Sequence, residues 1–223
     1  MKTAKLFMLI AILLTFVGES GAFAQGRNSQ IELYGGVAFA TKPDEFKDYF
    51  KMGLSLNGQY VMFPSPNLGI SFGVGFERFT VDEEKFVGDI TLGFLDDIRN
   101  AGFDPSANLS AQTIKIAVGV RPYLTRPEAT TQFFLFGQGS YNFLKAKFEA
   151  TDVPVDIDPN TGDILIGDIT EESDEKKFGV GAGAGIELPA GSSMNLIFQG
   201  LFNIIFTDEE STSFIGVTAG LVF

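Results

Sequence analysis

The chain has 223 residues and a formal charge of −12, with no Cys, His or Trp but 24 Phe and 26 Gly. Without Cys or His there is no disulfide, no thiolate or imidazole metal site, and no near-neutral base for Ser-His-Asp catalysis. The acidic balance repels phosphate backbones, which excludes nucleic acid as a partner.

Residues 1–24 read as an export signal. Lys2 and Lys5 supply a positive start, Leu6 to Val17 is apolar apart from Thr15, and Ala22-Phe23-Ala24 places small residues before an expected cut at Gln25. The apolar run is too short for a helix spanning a bilayer, which needs roughly 20 residues. No later stretch is long and apolar enough either, and Gln25 rules out a lipid-modified Cys at the new terminus. The expected mature domain is therefore 25–223, with a charge of −13 once Lys2, Lys5 and Glu19 are removed, and it must enter any membrane as strands.

Alternation of apolar and small or polar residues puts them on opposite faces of a strand. Ile31–Ala40 sets Ile31, Leu33, Val37 and Phe39 against Glu32, Tyr34, Gly36 and Ala38. Met52–Met62 repeats the pattern, Pro64-Ser65-Pro66-Asn67 turns the chain, and Leu68–Phe79 alternates Ile70, Phe72, Val74 and Phe76 with Gly and Ser. The period breaks over 82–110, where Ile90, Phe94 and Ile98 recur at helical spacing and predict a short helix between about Phe86 and Asn100.

Gln112–Leu124 is the fourth predicted strand, with Ile114, Ile116, Val118 and Val120 on one face. Thr125-Arg126-Pro127-Glu128 turns into Thr131–Phe148, where Phe134 and Phe136 interrupt an otherwise polar face. Glu149–Lys176 is polar and acidic and reads as a long loop. Phe178–Leu188 and Met194–Phe206 flank a Pro-Ala-Gly-Ser-Ser turn, with Ile197, Leu201 and Ile205 interleaved among polar residues of the second. The final strand runs to Phe223, with Phe223, Leu221, Ala219, Val217 and Ile215 on one face.

These are eight strands joined alternately by long and short connections, an arrangement typical of outer-membrane barrels. A strand of alternate apolar residues ending on Phe223 resembles the C-terminal signal of such proteins, which the barrel-assembly machinery reads. The whole mature chain resembles the small eight-stranded outer-membrane β-barrel proteins of the OmpA, OmpX and OmpW type. The resemblance implies an all-β fold, an eight-stranded antiparallel up-and-down transmembrane barrel following a cleaved signal peptide. It also implies an outer-membrane monomer of a Gram-negative cell, in contact with outer-membrane lipid and lipopolysaccharide, with long loops outside and tight turns in the periplasm. Small barrels of this kind that modify lipids do so through a His, which this chain lacks, so no enzyme and no cofactor is expected.

The rival fold is a soluble barrel with its apolar face inward. An eight-stranded interior is only just wide enough for side chains, whereas the apolar set here holds several Phe, Ile or Leu per strand. The opposite set of Gly, Ser, Ala and Asn suits a crowded lumen.

Five charges share that lumen face: Glu32, Arg121 and Glu187 toward the periplasmic turns, Glu77 and Lys115 toward the outer rim. Buried charges need partners. They form either a salt-bridged plug or the lining of a narrow path, and the apolar lumen residues Phe134, Phe136, Ile197, Leu201 and Ile205 keep an OmpW-like conduit for small apolar molecules as the second functional reading. Asp156–Asp163 resembles the start of a calcium loop, but Gly162 falls one place late and Pro159 stiffens it. Its Asp-Pro-Asn-Thr-Gly is good turn chemistry, and the hairpin tip is the preferred reading. Lys145, Lys147 and Lys176 have lipid-facing parity near the outer headgroups, with Arg78 at the same height, and so are candidates for lipopolysaccharide phosphates. The first functional reading is a non-enzymatic envelope or surface-interaction protein acting through its acidic outer loops.

Overall fold

The computed structural model describes residues 28–50, 52–81, 86–87, 99–100, 102, 105–126, 129–157, 164–191, 193–208 and 210–223. The export segment 1–24, most of the helix expected at 86–100, and the 158–163 part of the calcium-like loop lie outside them.

Among the described residues eight strands close a barrel in sequence order: β1 (Ser29–Lys42), β2 (Met52–Ser65), β3 (Leu68–Thr80), β4 (Ser106–Pro122), β5 (Gln132–Ile157), β6 (Ile164–Pro189), β7 (Asn195–Ile205) and β8 (Thr212–Val222). Every neighbouring pair is antiparallel, including the β1–β8 seam, where Leu33 faces Leu221 and Val37 faces Val217. Phe223 fastens that seam: its N–H bonds to Ile31 O at 2.9 Å and its O accepts from Ile31 N–H at 3.1 Å. The seam needs a glycine at Gly220, because a Cβ there would collide with Leu33 O and with Tyr34.

The expected faces are the observed ones. Leu54, Leu56, Phe72, Val74, Ile114, Val118, Phe198, Val217 and Leu221 are among the large apolar side chains exposed around the outside. Glu32, Glu77, Lys115, Arg121, Asn142, Glu187 and Gln199 are buried inside. In water this would be an inverted protein. In a bilayer the greasy exterior is matched to hydrocarbon and closure leaves no open edge within it.

Two of the long connections carry regular structure. Thr41–Phe50 contains a short helix, α1 (Asp44–Tyr49). Pro43 starts it with a preset φ of −63°, acidic residues occupy its first turn and Lys47 its last, which suits the helix dipole. Glu149–Lys176 is not a loop, because β5 and β6 each run for 26 residues. A strand needs only about 9–11 residues to cross the hydrocarbon, so the hairpin continues beyond the barrel. Repulsion among the carboxylates opposes that order. Pairing overrides it, since opposite charges face across the rungs, Lys145 to Asp174 and Lys147 to Glu172. β4 also starts early and adds a third strand, from Ser106 opposite Thr151. A bulge absorbs the register shift at Ala150–Val153. There Asp152 adopts φ 54°, a left-handed conformation that Asp tolerates, and Asp168 Oδ1 accepts its N–H at 3.3 Å.

Candidate functional site

The lumen is built in three storeys. At the floor, beside the tight turns, Glu32 accepts from Arg121 Nη2 at 2.9 Å and also from Arg121 Nη1, Gln30 and Gln59. Glu187 Oε1 accepts from the Tyr123 hydroxyl at 2.5 Å and from Gln30 at 3.2 Å, and lies 3.5 Å from Arg121 Nη1. The Arg121 guanidinium stacks over the Phe134 ring at 4.3 Å. Gly185 makes room for that ring, since any Cβ there would strike it and the Phe198 carbonyl. Phe134, Ile197, Tyr123 and Val222 then form an apolar cluster, with Tyr34, Phe63 and Phe136 against it.

The middle storey is polar. Lys115 Nζ meets Glu77 Oε1 at 2.6 Å, with side-chain exposures of 6% and 1%. Asn57 donates to Ser55 at 2.8 Å, and Asn142 donates to Ser140 at 3.0 Å. Glu77 Oε2 and Gln199 Oε1 find no hydrogen-bond partner among the described residues.

At the outer storey Ala38, Phe79, Ile205 and Phe214 pack together beneath Phe46, Phe50, Ala111 and Leu144. Phe46 lies one helical turn before Phe50, so α1 lowers both rings into the mouth. Their centroids are 4.9 Å apart, and Phe46 meets Phe79 edge-on at 4.9 Å. Sequence reasoning missed this lid. Its signal was present in Pro43-Asp44-Glu45-Phe46, a helix start with aromatics at i and i+4.

Of the five expected lumen charges, the structure joins Glu32, Arg121 and Glu187 in one cluster and Glu77 with Lys115 in another. Of the apolar lumen residues, Phe134, Phe136 and Ile197 pack in the floor and Ile205 in the cap, while Leu201 is half-buried. The rim lysines are less available to lipid phosphate than their parity alone implies. Lys145 reaches Glu172 at 3.3 Å, and Lys147 reaches Glu149 at 2.5 Å. The Glu149 carboxylate holds the Lys147 ammonium above the ordinary lysine range. Lys176 and Arg78 are exposed and form no ion pair among the described residues. Among the described residues no cluster of acids is arranged for a metal.

Above the lid the projecting sheet has a small core of its own. Val87, Ala107, Ala150 and Val153 are buried there, with Phe86, Phe148 and Ile169 against them. Phe86 meets both Tyr49 and Phe148 edge-on, at 5.1 and 5.7 Å, which ties the β3–β4 connection and α1 to the hairpin.

The family model described as "Outer membrane protein beta-barrel domain" matches residues 9–223, nearly the whole chain. The chain belongs to that family. Its fold and its outer-membrane location follow from that membership. Among solved structures the barrel is similar to Neisserial surface protein A (11% identity, TM-score 0.52, covering 89% of this chain and 98% of that one). It is also similar to a major outer membrane protein from Thermus thermophilus (15% identity, TM-score 0.51, 87% and 98%). Ail, the attachment invasion locus protein of Yersinia pestis, matches at 14% identity and TM-score 0.47, over 88% of this chain and 99% of that one. No curated protein matches this chain. At these identities the likeness is one of fold, and function has to be argued from the residues.

Proposed function

We propose that this outer-membrane barrel is closed, is not an enzyme, and serves envelope structure and surface interaction by holding a folded acidic platform above the membrane. The observation that carries this reading is the double stopper. The Arg121–Glu32–Glu187 floor with its aromatic cluster, and the Phe46–Phe50–Phe79–Phe214 cap, both place packed side chains across the lumen. A conduit for small apolar molecules would use the same Phe134, Ile197 and Ile205 as lining, but Phe134 and Ile197 are buried in the floor cluster and Ile205 in the cap rather than left open. The long hairpin and its separate core place the investment of ordered residues outside the membrane instead.

On this reading the chain is exported with cleavage after Ala24 and assembled as a monomer by the barrel-assembly machinery through Phe223 and Leu221. Lys176 and Arg78, rather than the carboxylate-paired Lys145 and Lys147, then contact lipopolysaccharide phosphates. The test pairs an unboiled-against-boiled gel shift with single-channel recording in planar bilayers. The expected result is a heat-modifiable band without conductance steps. Stable steps from a fully shifted preparation would replace the closed barrel with the conduit.

A further inference from the structure

Among the described residues β6 pairs with β5 down to Ile164 but meets β7 only from Gly179 onward. The last rung on the β7 side is Phe206 N–H to Phe178 O, at 2.9 Å. Rungs to one neighbour recur at every second residue of an antiparallel strand. Lys176, Asp174, Glu172 and Thr170 therefore turn their N–H and C=O groups to the open side, while the residues between them serve β5. All residues from Thr170 to Lys176 are exposed. The barrel abolishes its edges inside the membrane and leaves this one outside it.

An open edge recruits another strand unless something prevents it. Here the charge decides which strand. Asp168, Glu171, Glu172, Asp174 and Glu175 stand against Lys176 alone on this stretch. Lys145 offsets only Glu172, and Lys177 is drawn to Asp208 at 2.6 Å and to Glu175 at 3.5 Å. A second copy pairing through the same edge would set carboxylates opposite carboxylates, which is destabilising. The same charges favour a cationic strand. Resting on the surface-interaction reading above, we propose that the β6 edge from Thr170 to Lys176 takes up an extended, lysine- or arginine-rich segment of another protein as an added strand. Backbone rungs supply the affinity, and the acidic side chains select the sign of the partner.

The experiment uses the full chain in nanodiscs with two synthetic peptides of equal charge. One is an alternating Lys-Thr strand of roughly eight residues, within the usual strand range, and the other is interrupted by prolines that cannot make rungs. The expected result is slowed hydrogen exchange at the Thr170, Glu172, Asp174 and Lys176 amides with the first peptide. Affinity for the proline peptide should be about tenfold weaker or more. The double variant Thr170→Pro with Asp174→Pro removes edge donors without touching rungs to β5, so it should keep the gel shift and lose strand-peptide binding. Should that variant not fold, the exchange pattern of the unsubstituted chain still decides. Equal binding of both peptides would reduce the edge to a charged surface and overturn the proposal. So would absent protection, or a dimer cross-linked through β6. Conductance of the same purified protein in planar bilayers reports on the closed barrel separately. Lost peptide binding with a silent lumen removes the edge alone, and conductance with intact binding removes the closed barrel alone.

Discussion

The floor of the lumen and the face of the projecting hairpin use the same chemistry, carboxylate against cation, under opposite conditions. Arg121 and Glu32 have side-chain exposures of 2% and 0%, whereas Lys145 and Glu172 are each 49% exposed. Inside, a buried charge that loses its partner is left uncompensated, and at the floor Gln30, Gln59 and Tyr123 add their hydrogen bonds to the Glu32 and Glu187 carboxylates. Outside, water and salt screen the pair and its two long side chains must be ordered to meet. The lumen pairs therefore specify how the barrel is filled, while the hairpin pairs chiefly align two strands.

The largest expected effect follows from breaking the floor. Arg121→Met strands two carboxylates and should destabilise by about 3–5 kcal/mol, the usual range when a buried pair loses one side. Adding Glu32→Gln should return part of that loss in a folding titration monitored by gel shift. Silent single changes without coupling would mean that water reaches the floor, as it does the hairpin, and the contrast would collapse.

Next comes Lys115→Met. It strands only Glu77, one of whose oxygens already lacks a partner, so the loss should be toward the low end of the same range. Lys115→Met with Glu77→Leu should recover more than the floor double does, because two apolar groups replace an isolated pair without leaving an orphan. Failure of that ordering in the same titration would show that the middle storey is as tightly networked as the floor.

A smaller effect is expected at the lid. Phe46→Ala with Phe50→Ala should leave the gel shift in place and loosen the outer cap, seen as faster hydrogen exchange at Phe79 and Phe214. An unchanged exchange rate would detach α1 from the barrel's closure.

The smallest belongs to the hairpin. Lys145→Gln should change stability by less than about 1 kcal/mol, in line with exposed pairs, and less still at high salt. For Lys147 the direction of the shift sets the pH behaviour. A lysine raised by its carboxylate keeps its charge below the ordinary range and loses the pair only as pH climbs through the raised value. Lys147→Gln should accordingly show the same small effect at every pH from mildly acidic to mildly alkaline. A large loss from either variant would make these pairs structural.

Much of the barrel was legible because a strand's period is two and one face must meet lipid. Ile114, Ile116, Val118 and Val120 announced their side without any knowledge of the neighbours. The same parity placed Glu32, Arg121 and Glu187 on one face near one end. It could not say that Arg121 would grip Glu32 through both nitrogens and stack on Phe134, because those partners come from strands far apart in the chain.

The hairpin's tip was legible in its turn residues, but the ordered length of its two arms was not, for a related reason. Composition records that Glu149–Lys176 is acidic, and local charge repulsion is a local quantity. Lys145 faces Asp174 and Lys147 faces Glu172 only once β5 and β6 are in register, and β4 then supplies rungs to β5 that no single segment contains.

Residue type and period were thus enough to say which residues face lipid, how many strands alternate, and that His- and Cys-based chemistry is absent, since each of these is a local property of the chain. That rings from α1, β3 and β8 pack in one lumen cluster and a ring from β5 in another emerged only with the assembled barrel. So did the open acidic edge of β6, because closure and edge depend on where each strand finds its partner and where that partner ends.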